Sequence, residues 1–275
     1  MTVSESDGAD ESQDHESRVI AERSSPRTPV IYQVVRRLGE EEMDRPSFSL
    51  WWSGFAAGLS LSLSPFAQAL LQTHLPDELW RPLGVALGYS VGFVIVVLAR
   101  QQLFTENTIT VVLPLLADFT PRNLYRLLRL WCIVFVANMA GGLTAAAFYS
   151  LTPALQPEVY DEMVRQSGQI IGHGWAAMIF KGIAAGYLMA AMVWLLPSAE
   201  SAQLPVIAMM TWLIAAGGFM HVIAGGVEAF LLVLHGDLGL IGMMSQFLLP
   251  VTAGNIIGGT ALFALISYAQ VAREI

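Results

Sequence analysis

Arg100-Gln101-Gln102-Leu103-Phe104-Thr105-Glu106-Asn107 interrupts an apolar run that extends from 82 to 117. Gly217-Gly218-Phe219-Met220-His221 interrupts a second run, from 204 to 235. As straight helices, runs of about 36 and about 32 residues would overshoot the roughly 30 Å hydrocarbon core of a bilayer by some 20 Å. Each interruption sits mid-run and is too polar to face lipid. The economical structure is a helix broken at mid-membrane, its irregular backbone turned to protein or water. One long tilted helix with an overhang is the alternative.

Four further apolar runs, near 48–72, 128–150, 168–196 and 245–270, flank these two. Hydrophobic residues make up 55% of the 275 residues and charged residues 13%, and the mean hydropathy is +0.56. Soluble domains carry about a quarter charged residues, so the solvent here is lipid. Nothing alternates like a barrel strand. The chain reads as an all-α membrane protein with six transmembrane segments over 47–271. The 1–46 stretch holds eleven of the 22 acidic residues and reads as an acidic, largely disordered head. It lacks the basic start and apolar core of a signal peptide. Residues 272–275 form a short tail. Cys132 is the single cysteine, so no disulfide framework forms within the chain.

Arginine sets the orientation. Arg36, Arg37 and Arg45 precede the first segment, Arg122, Arg126 and Arg129 lie between the second and third, and Arg273 is near the end. The opposite loops are poorer in arginine. The positive-inside rule puts both termini on the cytoplasmic side of the bacterial inner membrane, and six crossings agree with termini on the same side.

The halves echo each other. Gly54-Phe55-Ala56-Ala57-Gly58 matches Gly182-Ile183-Ala184-Ala185-Gly186, offset by 128. Thr105 pairs with His221, offset by 116, and Asn138-Met139-Ala140-Gly141-Gly142 with Asn255-Ile256-Ile257-Gly258-Gly259, offset by 117. Three segments per copy force the second copy to run the opposite way. That inverted plan, aquaporin-like in its protomer, places a binding site where the two breaks meet. Asn138 and Asn255 read as helix-packing residues in the matched third and sixth segments.

At these residues the sequence resembles the formate/nitrite transporter family, over about 45–270. Leu103-Phe104-Thr105 looks like the family's signature at its second-helix break. Gly218-Phe219-Met220-His221 looks like the signature at the fifth. Asn255-Ile256-Ile257-Gly258-Gly259 looks like that of the last helix, and Lys181 falls where the fourth helix carries a lysine. The resemblance implies a homopentamer with one pore per protomer and a lipid-filled centre. It implies a small monovalent anion, or its neutral weak acid, as substrate. Where the family carries other residues, this chain has Met220, Gly225, Gln102, Arg100 and Ala185-Gly186, so the scaffold is kept while the polar lining is rewritten.

His221 is the central candidate, because an ionisable residue at membrane depth is a functional hypothesis and imidazole titrates near neutral pH. The bland reading is a neutral ring bonded to the broken backbone. Thr105 can bond an anion or cap the next half-helix. Lys181, the only lysine, is expected near the midplane. There it attracts anions, or pairs with Glu228 or Glu106. Glu228 follows His221 by seven residues, on the same helical face, and could tune it. Arg100 gates a mouth or snorkels. Tyr89, Phe93, Ile214 and Phe219 are candidate constrictions, with Phe104 and Leu103 beside Thr105 on the pathway; ordinary packing is the alternative for each aromatic. An apolar slit bars hydrated ions and passes a small neutral acid.

No Asn-Pro-Ala repeat marks a water channel, and no His-Glu-x-x-His motif marks a metalloenzyme. No cofactor, metal, catalysis or nucleic-acid partner is expected. A neutral-solute channel and a non-conducting scaffold or sensor remain as rival functions.

Overall fold

The computed structural model describes residues 26–274, and within them every regular element is helical. The first 25 residues, most of the acidic head, lie outside the described residues. Helix α1 (Thr28–Asp44) corrects the expectation that disorder runs to residue 46. Its Tyr32, Val35, Gly39 and Met43 recur at helical spacing and are buried, so the stretch has an apolar face to dock.

The remaining helices are α2 (Ser47–His74), α3 (Arg81–Leu98), α4 (Asn107–Ala117), α5 (Pro121–Leu151), α6 (Pro157–Ser167), α7 (Trp175–Ser198), α8 (Gln203–Ala216), α9 (Val222–His235) and α10 (Leu240–Val271). Five of them, α2, α3, α5, α7 and α10, are long and apolar enough to cross a membrane. Helices α4, α8 and α9 are shorter apolar pieces. The second segment is thus α3 plus α4 and the fifth is α8 plus α9, each interrupted where the sequence predicts.

Local chemistry sets the ends. Thr120 caps α5 by accepting the Asn123 amide at 3.2 Å, and Pro121 follows it at the first helical position. Helix α5 therefore starts seven residues before the expected 128. Gly172 adopts φ 86° ahead of α7, which delays the fourth segment from 168 to Trp175. The residues before it form α6, which buries Val159 and Met163 and lies across α2 and α9.

Two crossings organise the halves: α2 against α5, and α7 against α10. Gly58 lies so close to the Asn138 carbonyl that a Cβ would collide with it, and Gly186 has the same relation to the Asn255 carbonyl. Glycine is required at both. Helix α1 and the last turns of α10 lie on one face, since Tyr32 packs on Tyr268 with ring centroids 6.1 Å apart. This is the terminal face. The 75–80, 152–174 and 236–239 connections form the loop face.

Candidate functional site

The two breaks have one geometry. Helix α3 ends with the Arg100 amide bonded to the Val97 carbonyl at 3.1 Å and the Gln101 amide to Val96 at 2.9 Å. Helix α8 ends with Gly218 to Ala215 at 3.0 Å and Phe219 to Ile214 at 2.9 Å. Both are Schellman terminations with a left-handed residue just past the helix. That residue is Arg100, φ 52°, in the first and Gly218, φ 61°, in the second.

An asparagine then closes each break. Asn138 Nδ2 donates to the carbonyls of Gly54 and Gln102 at 2.8 and 2.9 Å, and its Oδ1 accepts the Phe104 amide at 2.9 Å. Asn255 repeats the set with Gly182, Met220 and the Val222 amide, at 2.8, 2.9 and 2.9 Å. Both asparagines are fully buried. Their work is to satisfy broken backbone that lipid cannot, a more specific role than the packing expected of them. These bonds set the repeat offset at the breaks to 118. Leu103 is therefore the equivalent of His221, and the expected pairing of Thr105 with His221 by symmetry is corrected.

Thr105 and His221 nonetheless meet. Thr105 Oγ1 lies 2.6 Å from His221 Nε2, with both residues buried. His221 is the N-cap of α9, and its Nδ1 accepts the Ala224 amide at 3.2 Å. Capping, one of the two readings open for Thr105, belongs to His221. Because Nδ1 accepts, the neutral ring carries its proton on Nε2 and donates to Thr105 Oγ1. A second proton on Nδ1 would face the Ala224 N–H. The proton exchange expected of His221 is therefore opposed by the cap.

Two cavities approach this centre from opposite faces. The one on the loop face, about 870 Å³, reaches His221 and is lined by Tyr89, Lys181, Phe219 and Glu228. The one on the terminal face, about 550 Å³, is lined by Glu42, Arg45, Arg100, Gln102 and Glu106. No residue lines both. Along α3, residues 82–89 face the first vestibule, and 97 onward, through the break to 102, the second. Phe93 lies between, fully buried, its ring edge-on to His221 with centroids 4.9 Å apart. Ile214 is also fully buried.

The other expected residues separate. Tyr89 stacks at a tilt on Phe93, centroids 5.1 Å apart, at the inner end of the loop-face vestibule. Phe104 turns to Trp131 and Phe135 of α5, and neither it nor Leu103 lines a vestibule. Lys181 is the seventh residue of α7; its carbonyl accepts the Met220 amide of the second break at 3.2 Å, and it lines the loop-face vestibule. Its Nζ lies 3.3 Å from His173 Nε2. Among the described residues it forms no ion pair with Glu228 or Glu106.

A polar network on the terminal face was not expected from the sequence. Glu42 Oε2 lies 2.9 Å from Thr110 Oγ1, which is 3.1 Å from Asn107 Oδ1; Asn107 Nδ2 donates to Gln102 Oε1 at 3.0 Å. The Thr110 hydroxyl has one proton and two acceptors beside it. It donates to Glu42 Oε2 or to Asn107 Oδ1. Burial pushes the Glu42 carboxyl above its ordinary value, with the Thr110 bond opposing. Only Met43 and Gly39, three residues back, marked the face that brings Glu42 here.

A sequence model of the family described as "Formate/nitrite transporter" matches residues 29–269. Inner membrane protein YfdC of Escherichia coli is 40% identical over 253 residues, covering 92% of this chain and 82% of that protein. Formate channel FocA of Haemophilus influenzae is 27% identical, covering 78% and 84%. Among solved structures, an FNT family ion channel superposes with a TM-score of 0.73 at 19% identity, covering 88% of this chain and 98% of that one. A pentameric formate channel with formate bound gives 0.71 at 19%, covering 82% and 98%. With two inverted halves, matched breaks and a family match across nearly its whole described length, this chain belongs to the formate/nitrite transporter family.

Proposed function

We propose that the chain conducts a small monovalent anion of the formate or nitrite kind across the bacterial inner membrane, passing the central slit as its neutral acid. The contact of Thr105 with His221 between two opposed vestibules carries this reading. Lys181 gathers the anion. At about 8 Å, in an effective dielectric of about 20, an ammonium attracts a unit anion by roughly 2 kcal/mol. Phe93 and Ile214 then present only apolar surface. A bare anion would lose several kcal/mol of hydration there, whereas a neutral acid needs one hydrogen-bond partner. The Thr105 hydroxyl, receiving the His221 Nε2 proton, is free to donate its own to the crossing solute. His221 acts here as a neutral orienting group.

The arginine distribution favours a cytoplasmic terminal face, and the Escherichia coli relative is named for the inner membrane. One structural neighbour is a pentameric channel. A homopentamer in lipid, with one pathway per protomer, is the matching assembly.

The test is uptake into proteoliposomes from a panel of formate, nitrite, acetate, lactate, hydrosulfide, water and ammonia. Formate or nitrite uptake is expected to rise as outside pH falls. His221→Ala and Thr105→Val are each expected to lower it at least about tenfold, the loss of a desolvated hydrogen bond worth about 1.4 kcal/mol or more. A wild-type protein that passes no member of the panel leaves a non-conducting scaffold. One that passes only water or ammonia is a neutral-solute channel.

A further inference from the structure

The neutral acid must receive its proton before the slit, and the central pair cannot give one. His221 is held with Nδ1 accepting the Ala224 amide and Nε2 on Thr105. Taking the Nε2 proton from a neutral ring would leave an imidazolate.

The loop-face vestibule presents five other titratable groups: Lys181 of α7, His173 just before it, Arg165 of α6, Tyr89 following Gly88 in α3, and Glu228 of α9. Helix α2 contributes Gln68 and Gln72, and α5 and α10, which also pack on α9, place no titratable group there. Arg165 is bonded to Glu162 at 2.6 and 2.7 Å and does not deprotonate. His173 is engaged by Lys181, whose charge draws in the anion. A phenol such as Tyr89 is too weak an acid to protonate a formate-like anion.

Glu228 is left. It is half-buried, and among the described residues it has neither a hydrogen-bond nor an ion-pair partner. It stands seven residues along α9 from His221, two turns or about 10 Å on the same face. Gly225, which lies between them, also lines the vestibule.

The geometry points to Glu228 as the group that hands a proton to the arriving anion, in the vestibule and before the slit. This rests on the channel reading above. The carboxylic acid O–H breaks as an O–H forms on the anion, and the electron pair stays on the Glu228 carboxylate. The neutral acid moves on past Tyr89. External hydronium then reprotonates Glu228, so that one proton enters with each anion.

The experiment compares formate uptake by proteoliposomes of the full-length wild type, E228Q and E228D, from about pH 8 to about pH 5 outside. E228Q is expected to fall about tenfold near pH 6 and to lose its dependence on pH. That fall lies below the usual 10²-fold or more for a positioned acid because water substitutes in part. E228D is expected to keep a pH dependence with a displaced midpoint. An E228Q profile that tracks the wild type overturns the role. Should E228Q not yield assembled protein, E228D decides, and an undisplaced midpoint overturns it. A wild type without formate or nitrite uptake instead refutes the channel reading itself.

Discussion

Arg100 holds a left-handed conformation, φ 52°, that costs a residue with a Cβ roughly 1–2 kcal/mol. Its mate in the second half is Gly218, for which the same conformation is free. R100G is expected to stabilise the protein by about 1 kcal/mol, net of glycine's greater freedom in the unfolded chain. A higher melting temperature in detergent would show it. The asparagine clamps predict the opposite sign. N255A leaves the Val222 amide and the Gly182 and Met220 carbonyls without their partner. The cost is expected to be about 3 kcal/mol or more, read as a lowered denaturation midpoint. At this scale the sequence showed where polar residues interrupt apolar ones, and so singled out Thr105, Lys181 and His221. It could not show that His221 caps α9, because a cap is defined by which ring nitrogen meets which amide.

Among the elements, the broken helices were legible because length and polarity disagree with a single crossing. Helix α1 was not. Its acidic composition suggested disorder, while four buried positions at helical spacing dock it over α4. The Glu42 carboxyl is raised above its ordinary 4.5 by burial. A raised folded value means the docking energy from this group is fully present below about 4.5 and is lost as pH rises through the raised value. The protection factors of amides 28–44, taken against the intrinsic exchange rate at each pH, are therefore expected to fall as pH increases from about 5 to about 8. Glu42→Gln is expected to hold their protection constant across that range. Protection in the wild type that does not change with pH would show that Glu42 does not govern the docking.

For the whole molecule, the outer surface is apolar and aromatic. Phe48 is 75% exposed, Phe180 70% and Ile266 61%, a surface suited to acyl chains or sister protomers and not to water. Native mass spectrometry of the detergent-solubilised protein is expected to give five copies of the chain. A monomer retaining full formate uptake after reconstitution would refute the pentamer as the working unit. Both vestibules are lined by residues of a single chain.

Residue order alone determined the solvent, the interrupted segments and the inverted halves, since each follows from where apolar and polar groups alternate along the chain. Tertiary structure alone decided the offset between the halves, the seat of Lys181 in a vestibule, and the clamping by Asn138 and Asn255. It also decided that Phe104 faces α5 rather than the pathway. Those depend on how closely glycine lets two helices cross and on which buried donor finds which acceptor, and both are distances between residues far apart in the chain.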